Sequence, residues 1–225
     1  MVAASTIEEG VARLAEDGFV AYPTETVWGL AASAKRPAAV AALMGWKGRA
    51  GDAPMSVLVT SAEEAAEFGC RLEPAARRLI DAFWPGPLTL VVPCDRRFAP
   101  GVARADGALG LRCSPHPVAH DLAVAARVAG IAPLTSTSCN RSGDEPARDF
   151  EAVRAMLHDA QQAVDDSASP GIVFASGQDA GGGAPSSVVD CTGARPEILR
   201  QGAIDASALE DAWSGSSGGA DAVHA

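Results

Sequence analysis

The sequence predicts an α/β domain in which helices cover the faces of a mixed sheet, and three observations carry that expectation. Amphipathic stretches and short apolar runs alternate along the first part of the chain. Strand-length apolar runs then gather toward the C-terminal end. Prolines and Ser/Thr caps stand just before the periodic segments, marking where helices start. At 225 residues, 48% hydrophobic and 20% charged, the chain suits one large domain with a sizeable core.

Each element has its own signal. "STIEEGVARLAEDG" (5–18) carries a Ser/Thr cap, Ile7, Val11 and Leu14 at helical spacing, and a stop at Gly18. "FVAY" (19–22) is a short apolar strand that "PTET" breaks. Pro37 opens a helix over "PAAVAALMGW". "MSVLVT" (55–60) is a strand leading into "SAEE", where Ser61 and Glu64 have capping-box spacing. "EPAARRLIDAFW" (73–84) is an amphipathic helix ended by "PGP". "LTLVV" (88–92) and "LGLRC" (109–113) read as strands, "HPVAHDLAVAARVAG" (116–130) as a helix and "IAPLTS" (131–136) as another strand. "DFEAVRAMLHDA" (149–160) is a helix capped by Asp149, and "GIVFA", "SSVVD" and "EILRQG" close the set as short strands. Residues 175–185 read as a flexible loop. From about Asp205 the apolar periodicity fades into Gly, Ser and Ala, so the domain is expected to span 1–205 and residues 206–225 to be a disordered tail.

Composition removes several function classes. No apolar run approaches the roughly 20 residues of a membrane helix, and the N-terminus lacks a basic n-region, so a cytoplasmic protein is expected. The five cysteines are odd in number, widely spaced and without a C-x-x-C pair, which argues against a disulfide framework and a zinc site. A net charge of −10, from 18 basic and 28 acidic residues, makes a poor general binder of nucleic acid. An anionic ligand would need a local basic pocket set against that field.

Five stretches could build one. "TSTSCNRSG" (135–143) places five hydroxyls, a thiol, an amide and a guanidinium at the mouth of a strand, where ligands of α/β sheets bind. Ser136, Ser138 and Asn140 alternate and could face one side. "WKGRAGDAPMS" (46–56) sets Lys47 and Arg49 after a helix; a mobile point charge beside a planar fork suits a polyphosphate. The same pair also fits a solvated turn favoured by the helix macrodipole. "AYPTETVWGL" (21–30) offers Thr24, Glu25 and Thr26 beside Trp28, enough to hold a small polar metabolite or simply to form a hydroxyl-capped turn. Arg112 and Arg200 each end a strand, where a charge needs a partner or a pocket edge. With Lys47, Arg49 and Arg141 they would make a donor-rich cavity. His116, between two prolines, reads as structural. There is no G-x-x-x-x-G-K-[ST] and no strand–G-x-G-x-x-G–helix unit. No Ser-His-Asp, Cys-His or metal-ligand spacing appears either, which leaves catalysis by positioning and charge stabilisation.

Seven segments in register, "AYPTETVWGLAASA", "KGR", "FWPGPLTLVV", "GLRCSPHP", "STSCNRSG", "SSVVD" and "ILRQGAI", resemble the YrdC/Sua5 family of threonylcarbamoyl-AMP synthases over about residues 6–205. The resemblance implies a YrdC-like single domain, a twisted mixed sheet with flanking helices around a basic cavity. It implies a reaction in which L-threonine, bicarbonate or CO2, and ATP condense with Mg2+ to L-threonylcarbamoyladenylate and pyrophosphate. The product would pass to a tRNA threonylcarbamoyl transferase complex for modification of adenosine 37. By the same resemblance Lys47, Arg49, Ser138, Asn140 and Arg200 would line the ATP site, with Lys47 and Arg49 catalytic. Thr26, Arg112, Ser136 and Ser186 would hold threonine, and no protein metal ligand is implied. Four positions depart from the family pattern: Ala53 for Asn, Leu58 for His, Cys139 for Ala and Pro185 for Glu. The length points to the single-domain type rather than the longer Sua5 type. Two alternatives stay open: a YrdC-like module that holds RNA without chemistry, and a carbamoyl-adenylate enzyme with another acceptor.

Overall fold

The computed structural model describes residues 4–49, 54–163, 171–173 and 179–215, and for 157–163 the backbone alone. Ala53, residues 175–178 of the expected loop and residues 216–225 lie outside the described residues.

The first helix, α1 (Ile7–Ala15), starts at Thr6, whose hydroxyl accepts from Glu9 N while the Glu9 carboxylate accepts from Thr6 N. That reciprocal box satisfies two donors the helix leaves open. Just before it, β1 (Ala4–Ser5) pairs in parallel with β8 (Gly171–Val173), a strand that two small residues did not announce. β2 (Phe19–Tyr22) is buried along its whole length and runs antiparallel to β3 (Gly29–Ala32). β3 was not anticipated, because Gly-Leu-Ala-Ala lacks the branched and aromatic residues that favour strands. Its smallness has a use: a Cβ at Gly29 would stand 2.8 Å from the ring of Tyr22, its cross-strand partner.

α2 (Pro37–Lys47) begins with proline in its first turn and ends at Gly48, whose φ of 61° lies in the left-handed region that glycine enters without strain. β4 (Ser56–Leu58) leads to the short α3 (Ala62–Glu67). Only half the expected capping box forms there. Ser61 accepts from Glu64 N at 3.2 Å, but the Glu64 carboxylate takes Thr60 N and Oγ1 at 2.6 and 2.7 Å instead. α4 (Pro74–Phe83), β5 (Leu88–Pro93), β6 (Ala108–Arg112) and α5 (Pro117–Val128) occur where their signals stood. β7 (Leu134–Ser138) runs two residues past the expected end, so the hydroxyl-rich stretch is itself strand. After α6 (Phe150–Ala163) come β8, β9 (Ser187–Asp190) and β10 (Glu197–Arg200).

Among the described residues ten strands join one mixed sheet in the order β1-β8-β2-β3-β7-β4-β6-β5-β9-β10. β7 is antiparallel to both neighbours and, among the described residues, is the only strand bonded to both β3 and β4. The core is continuous from Leu14 and Phe19 through Leu90 and Leu111 to Leu122 and Val189. Among the described residues no helix is long and apolar enough to cross a membrane.

The expected tail needs correction over part of its length. Ala206–Ser214 form α7, which packs on α4. Leu209 is fully buried, and Arg78 of α4 donates to the Trp213 carbonyl at 2.8 Å. The weak apolar period hid this helix because a few large side chains, Leu209 and Trp213 among them, anchor it. Leu209→Ala should lower unfolding free energy by about 2–5 kcal/mol in urea denaturation. A change within about 0.5 kcal/mol, the range of an ordinary surface substitution, would mean that α7 adds nothing to the domain.

Candidate active site

Where β7 ends, the sheet opens into a cavity of about 330 Å³. One wall is the turn after β2, with Thr24 and Thr26, and the start of β3; another is β7 itself, with Ser136, Thr137 and Ser138. Across from them stand Arg112 from the end of β6, Thr89 from β5, Ser186 before β9, and Arg200 from β10. Arg49 and Pro54 close the side that follows α2. Thus Thr26, Arg49, Arg112, Ser136, Ser138, Ser186 and Arg200, seven of the residues named from sequence, meet on one cavity.

Lys47 and Asn140 are placed differently. The Lys47 ammonium, 3% exposed, donates to Ser138 O at 2.5 Å, Asn140 O at 2.9 Å and Asn140 Oδ1 at 3.0 Å. Ser138 Oγ donates to the same Asn140 Oδ1 at 2.7 Å, and Asn140 Nδ2 donates to Asp144 O at 2.7 Å. A backbone bond from Ser142 N to Lys47 O, 2.7 Å, closes the junction. The Lys-Gly-Arg corner and the Ser-Cys-Asn corner are therefore one piece, with Lys47 bracing the cavity wall from behind. Burial pushes the Lys47 ammonium down to about 8, and the positive charge of Arg49 acts in the same direction. Gly48 turns the chain so that Arg49 faces forward, bonded to Thr137 Oγ1 at 3.2 Å and Pro54 O at 2.9 Å. Cys139, between the two corners, is fully buried and fills the core.

The second corner is built on an ion pair. Arg112 Nη2 donates to Glu25 Oε1, Nη1 donates to Gly86 O, and Ser114 Oγ donates to the other oxygen of Glu25. The burial cost of the guanidinium is met by this pairing and by backbone carbonyls. Thr24 and Thr26 stand beside it with Oγ1 atoms 3.0 Å apart, and Thr24 also donates to Val27 O, so the hydroxyl-capped turn and the cavity wall are the same structure. Arg200 donates to Ser186 O and Oγ at 2.8 and 3.1 Å, and Ser186 Oγ lies 2.9 Å from Thr89 Oγ1. Burial, and then the like charge of Arg112, lower the pKa of Arg200.

Other expectations resolve plainly. Arg141 does not join the cavity; its guanidinium stacks 4.4 Å from the Trp46 ring. Leu58 is buried in β4 between Arg112 and Leu134, and Pro185 lines the cavity. His116 bonds through Nε2 to Asp179 O at 3.2 Å, in keeping with a structural role. Sequence reasoning missed Tyr22, which donates to Ser136 Oγ at 3.0 Å, and Arg104, which lines the cavity while pairing with Asp106 and Asp190, each at 2.6 Å. Tyr22 lies inside the 21–30 stretch but reads there as strand, Arg104 lies outside every motif, and only the sheet brings either to the cavity. Glu25 was seen as a polar turn residue; its partner lies 87 positions away.

The sequence profile of the family described as "Telomere recombination" (Sua5/YciO/YrdC) matches residues 12–202. The chain belongs to the Sua5/YciO/YrdC family. A Mycobacterium tuberculosis protein, provisionally named a threonylcarbamoyl-AMP synthase, is 40% identical over 185 residues, covering 82% of this chain and 78% of its own. A Xanthomonas oryzae pv. oryzae threonylcarbamoyl-AMP synthase is 37% identical over 68% of this chain and 80% of its own. The fold is similar to that of P. abyssi Sua5 solved with L-threonine, with a TM-score of 0.80 and 27% identity over 92% of this chain and 56% of that one.

Breaking the buried pair should be costly. Glu25→Ala leaves Arg112 charged and uncompensated, and stability should fall by about 3 kcal/mol in guanidinium denaturation. Glu25→Gln, which keeps an acceptor, should fall by less. Equal losses for the two variants would show that the pair's charge is immaterial.

Proposed function

We propose that this cavity condenses L-threonine, CO2 or bicarbonate, and ATP into L-threonylcarbamoyladenylate and pyrophosphate. The observation that carries the reading is the junction at Lys47, which puts the two nucleotide-type corners on one cavity whose far wall holds Arg112 and Arg200. In an acidic molecule of net charge −10, that cavity is a local reversal of sign suited to an anionic ligand.

Threonine binds at the wall formed by Thr26, Arg112, Ser136 and Ser186. A guanidinium has five N–H donors. Arg112 commits Nη1 to two carbonyls and one Nη2 hydrogen to Glu25, so its Nε–H and second Nη2–H serve the substrate carboxylate. Thr26 meets the substrate hydroxyl, and Glu25 keeps the guanidinium in register from behind. The free amine of threonine captures CO2, losing a proton and forming a carbamate. A carbamate oxygen then attacks the α-phosphorus of ATP, and pyrophosphate leaves. Arg49, Arg200 and the Ser138–Asn140 corner hold the phosphates and stabilise the charge that grows on them. Lys47 sets that corner's shape and adds its charge at close range. Among the described residues no group of three acidic, histidine or cysteine side chains gathers around a metal position. Mg2+ arrives on the triphosphate as part of the substrate. The product passes to a tRNA threonylcarbamoyl transferase complex in the cytoplasm, and this chain itself makes no extended contact with tRNA.

The assay is pyrophosphate release from ATP, Mg2+ and bicarbonate, with and without L-threonine. Lys47→Ala should reduce threonine-dependent release about a hundredfold, because the Ser138–Asn140 corner loses the brace that preorganises its donors. Near-normal release would overturn the reading. The pH profile has a defined sign: Lys47 is protonated below about 8 and loses its third N–H above it, so kcat/KM should fall on the alkaline side. Lys47→Arg, which keeps its charge, should lack that falling limb whatever its maximum rate. A limb unchanged in this variant would assign the titration to another group.

A further inference from the structure

Cys70 and Cys94 lie away from the cavity and play no part in the chemistry above. Cys70 follows α3, Cys94 follows β5, and the two form an isolated antiparallel bridge. The backbone bonds around them run from Arg71 N to Pro93 O, 2.9 Å, and from Asp95 N to Gly69 O, 3.0 Å. Bonds between the flanking residues, and none between the pair itself, define a non-hydrogen-bonded site. Opposite residues there approach to about 4.5 Å between Cα atoms, with their side chains close together. That spacing falls within the roughly 4.4–6.8 Å that a disulfide accepts. The sulfur atoms are 3.4 Å apart, and the Arg71–Asp95 ion pair at 2.6 Å fastens the bridge on one side.

Cys94 also differs in kind from the other thiols, Cys70 included, whose hydrogen bond to Cys94 and burial push it up. Cys94 is acidified, chiefly by the hydrogen bond from Cys70 and further by the Arg96 backbone N–H and charge, against its burial. Burial pushes Cys113 up to about 11 and Cys139 and Cys191 up to about 12, which keeps them protonated and slow to react. Sequence spacing gave no hint of a pair, because 24 positions separate the two.

We infer that Cys70 and Cys94 are an oxidisable dithiol which a peroxide-class oxidant converts to an intrachain disulfide. The Cys94 thiolate attacks one peroxide oxygen, the O–O bond breaks, and hydroxide leaves to be protonated to water. The resulting Cys94 sulfenic acid is attacked by the Cys70 sulfur; the S–O bond breaks, and the Cys70 proton leaves with that oxygen as a second water. Two thiols and one hydrogen peroxide give one disulfide and two waters. Neither cysteine lines the cavity; Val91, the nearest lining residue on β5, is three positions from Cys94, about 10 Å along an extended strand. The bond therefore clasps the α3–α4 segment to the outer end of β5.

The test uses the full-length reduced protein and one equivalent of hydrogen peroxide. Alkylation after denaturation should count three reactive cysteines in place of five. A tryptic digest should contain residues 50–71 cross-linked to residues 79–96, lost on reduction. The oxidised protein should melt at a higher temperature and keep its turnover within twofold. In Cys70→Ser, the Cys94 sulfenic acid has no resolving thiol and should be trapped by dimedone. Five thiols remaining, a cross-link through Cys113, Cys139 or Cys191, or a disulfide between chains would each overturn the inference. The thiol count stands whether or not the protein makes threonylcarbamoyladenylate, so its failure is separate from failure of the proposed activity.

Discussion

A single ammonium with three oxygens around it organises the site. Lys47 closes α2, and its three acceptors all come from Ser138 and Asn140, at the end of a strand 91 positions away. An ammonium has three donors and no acceptor, so the carbonyls of residues 138 and 140 must both turn inward. That fixes the bend that ends β7. Gly48, free to adopt a positive φ, then directs Arg49 to the cavity side of the same junction. One lysine thus sets where a strand stops and where the next cation points.

Charge in the cavity follows from what each cation has behind it. Arg112 is neutralised by Glu25, and Arg104 by Asp106 and Asp190. Arg49 and Arg200 rest on hydroxyl and carbonyl oxygens in the described structure. An anion entering meets Arg200 on neutral oxygens, whereas the carboxylate-backed Arg112 offers direction more than net charge.

Most helices and the long strands were legible because their signals are local. Pro37, Pro74 and Pro117 stand in the first turns of α2, α4 and α5, and Thr6 caps α1. β3 and α7 were not, since Gly29–Ala32 has too little side chain to register and Ala206–Ser214 owes its place to burial of Leu209 against α4. The site followed the same division. Thr26, Arg49, Arg112, Ser136, Ser138, Ser186 and Arg200 sit in motifs and were named from them. Tyr22, Arg104 and the Glu25–Arg112 pair depend on which strands lie side by side, and strand order is not written in any short segment.

β7 has a further consequence. Among the described strands it alone welds the β1-β8-β2-β3 half of the sheet to the β4-β6-β5-β9-β10 half, and its successive residues turn to opposite faces. Ser136 and Ser138 look into the cavity, with Thr137 joining them at the strand's open end, while fully buried Thr135 accepts from Ala32 N on the inside. Sliding this strand by one residue against either neighbour would exchange the two sets, hiding the serines and presenting Thr135. A mis-registered chain therefore cannot assemble a working pocket, and a molecule that binds its substrates has by that act certified the alignment of all ten strands.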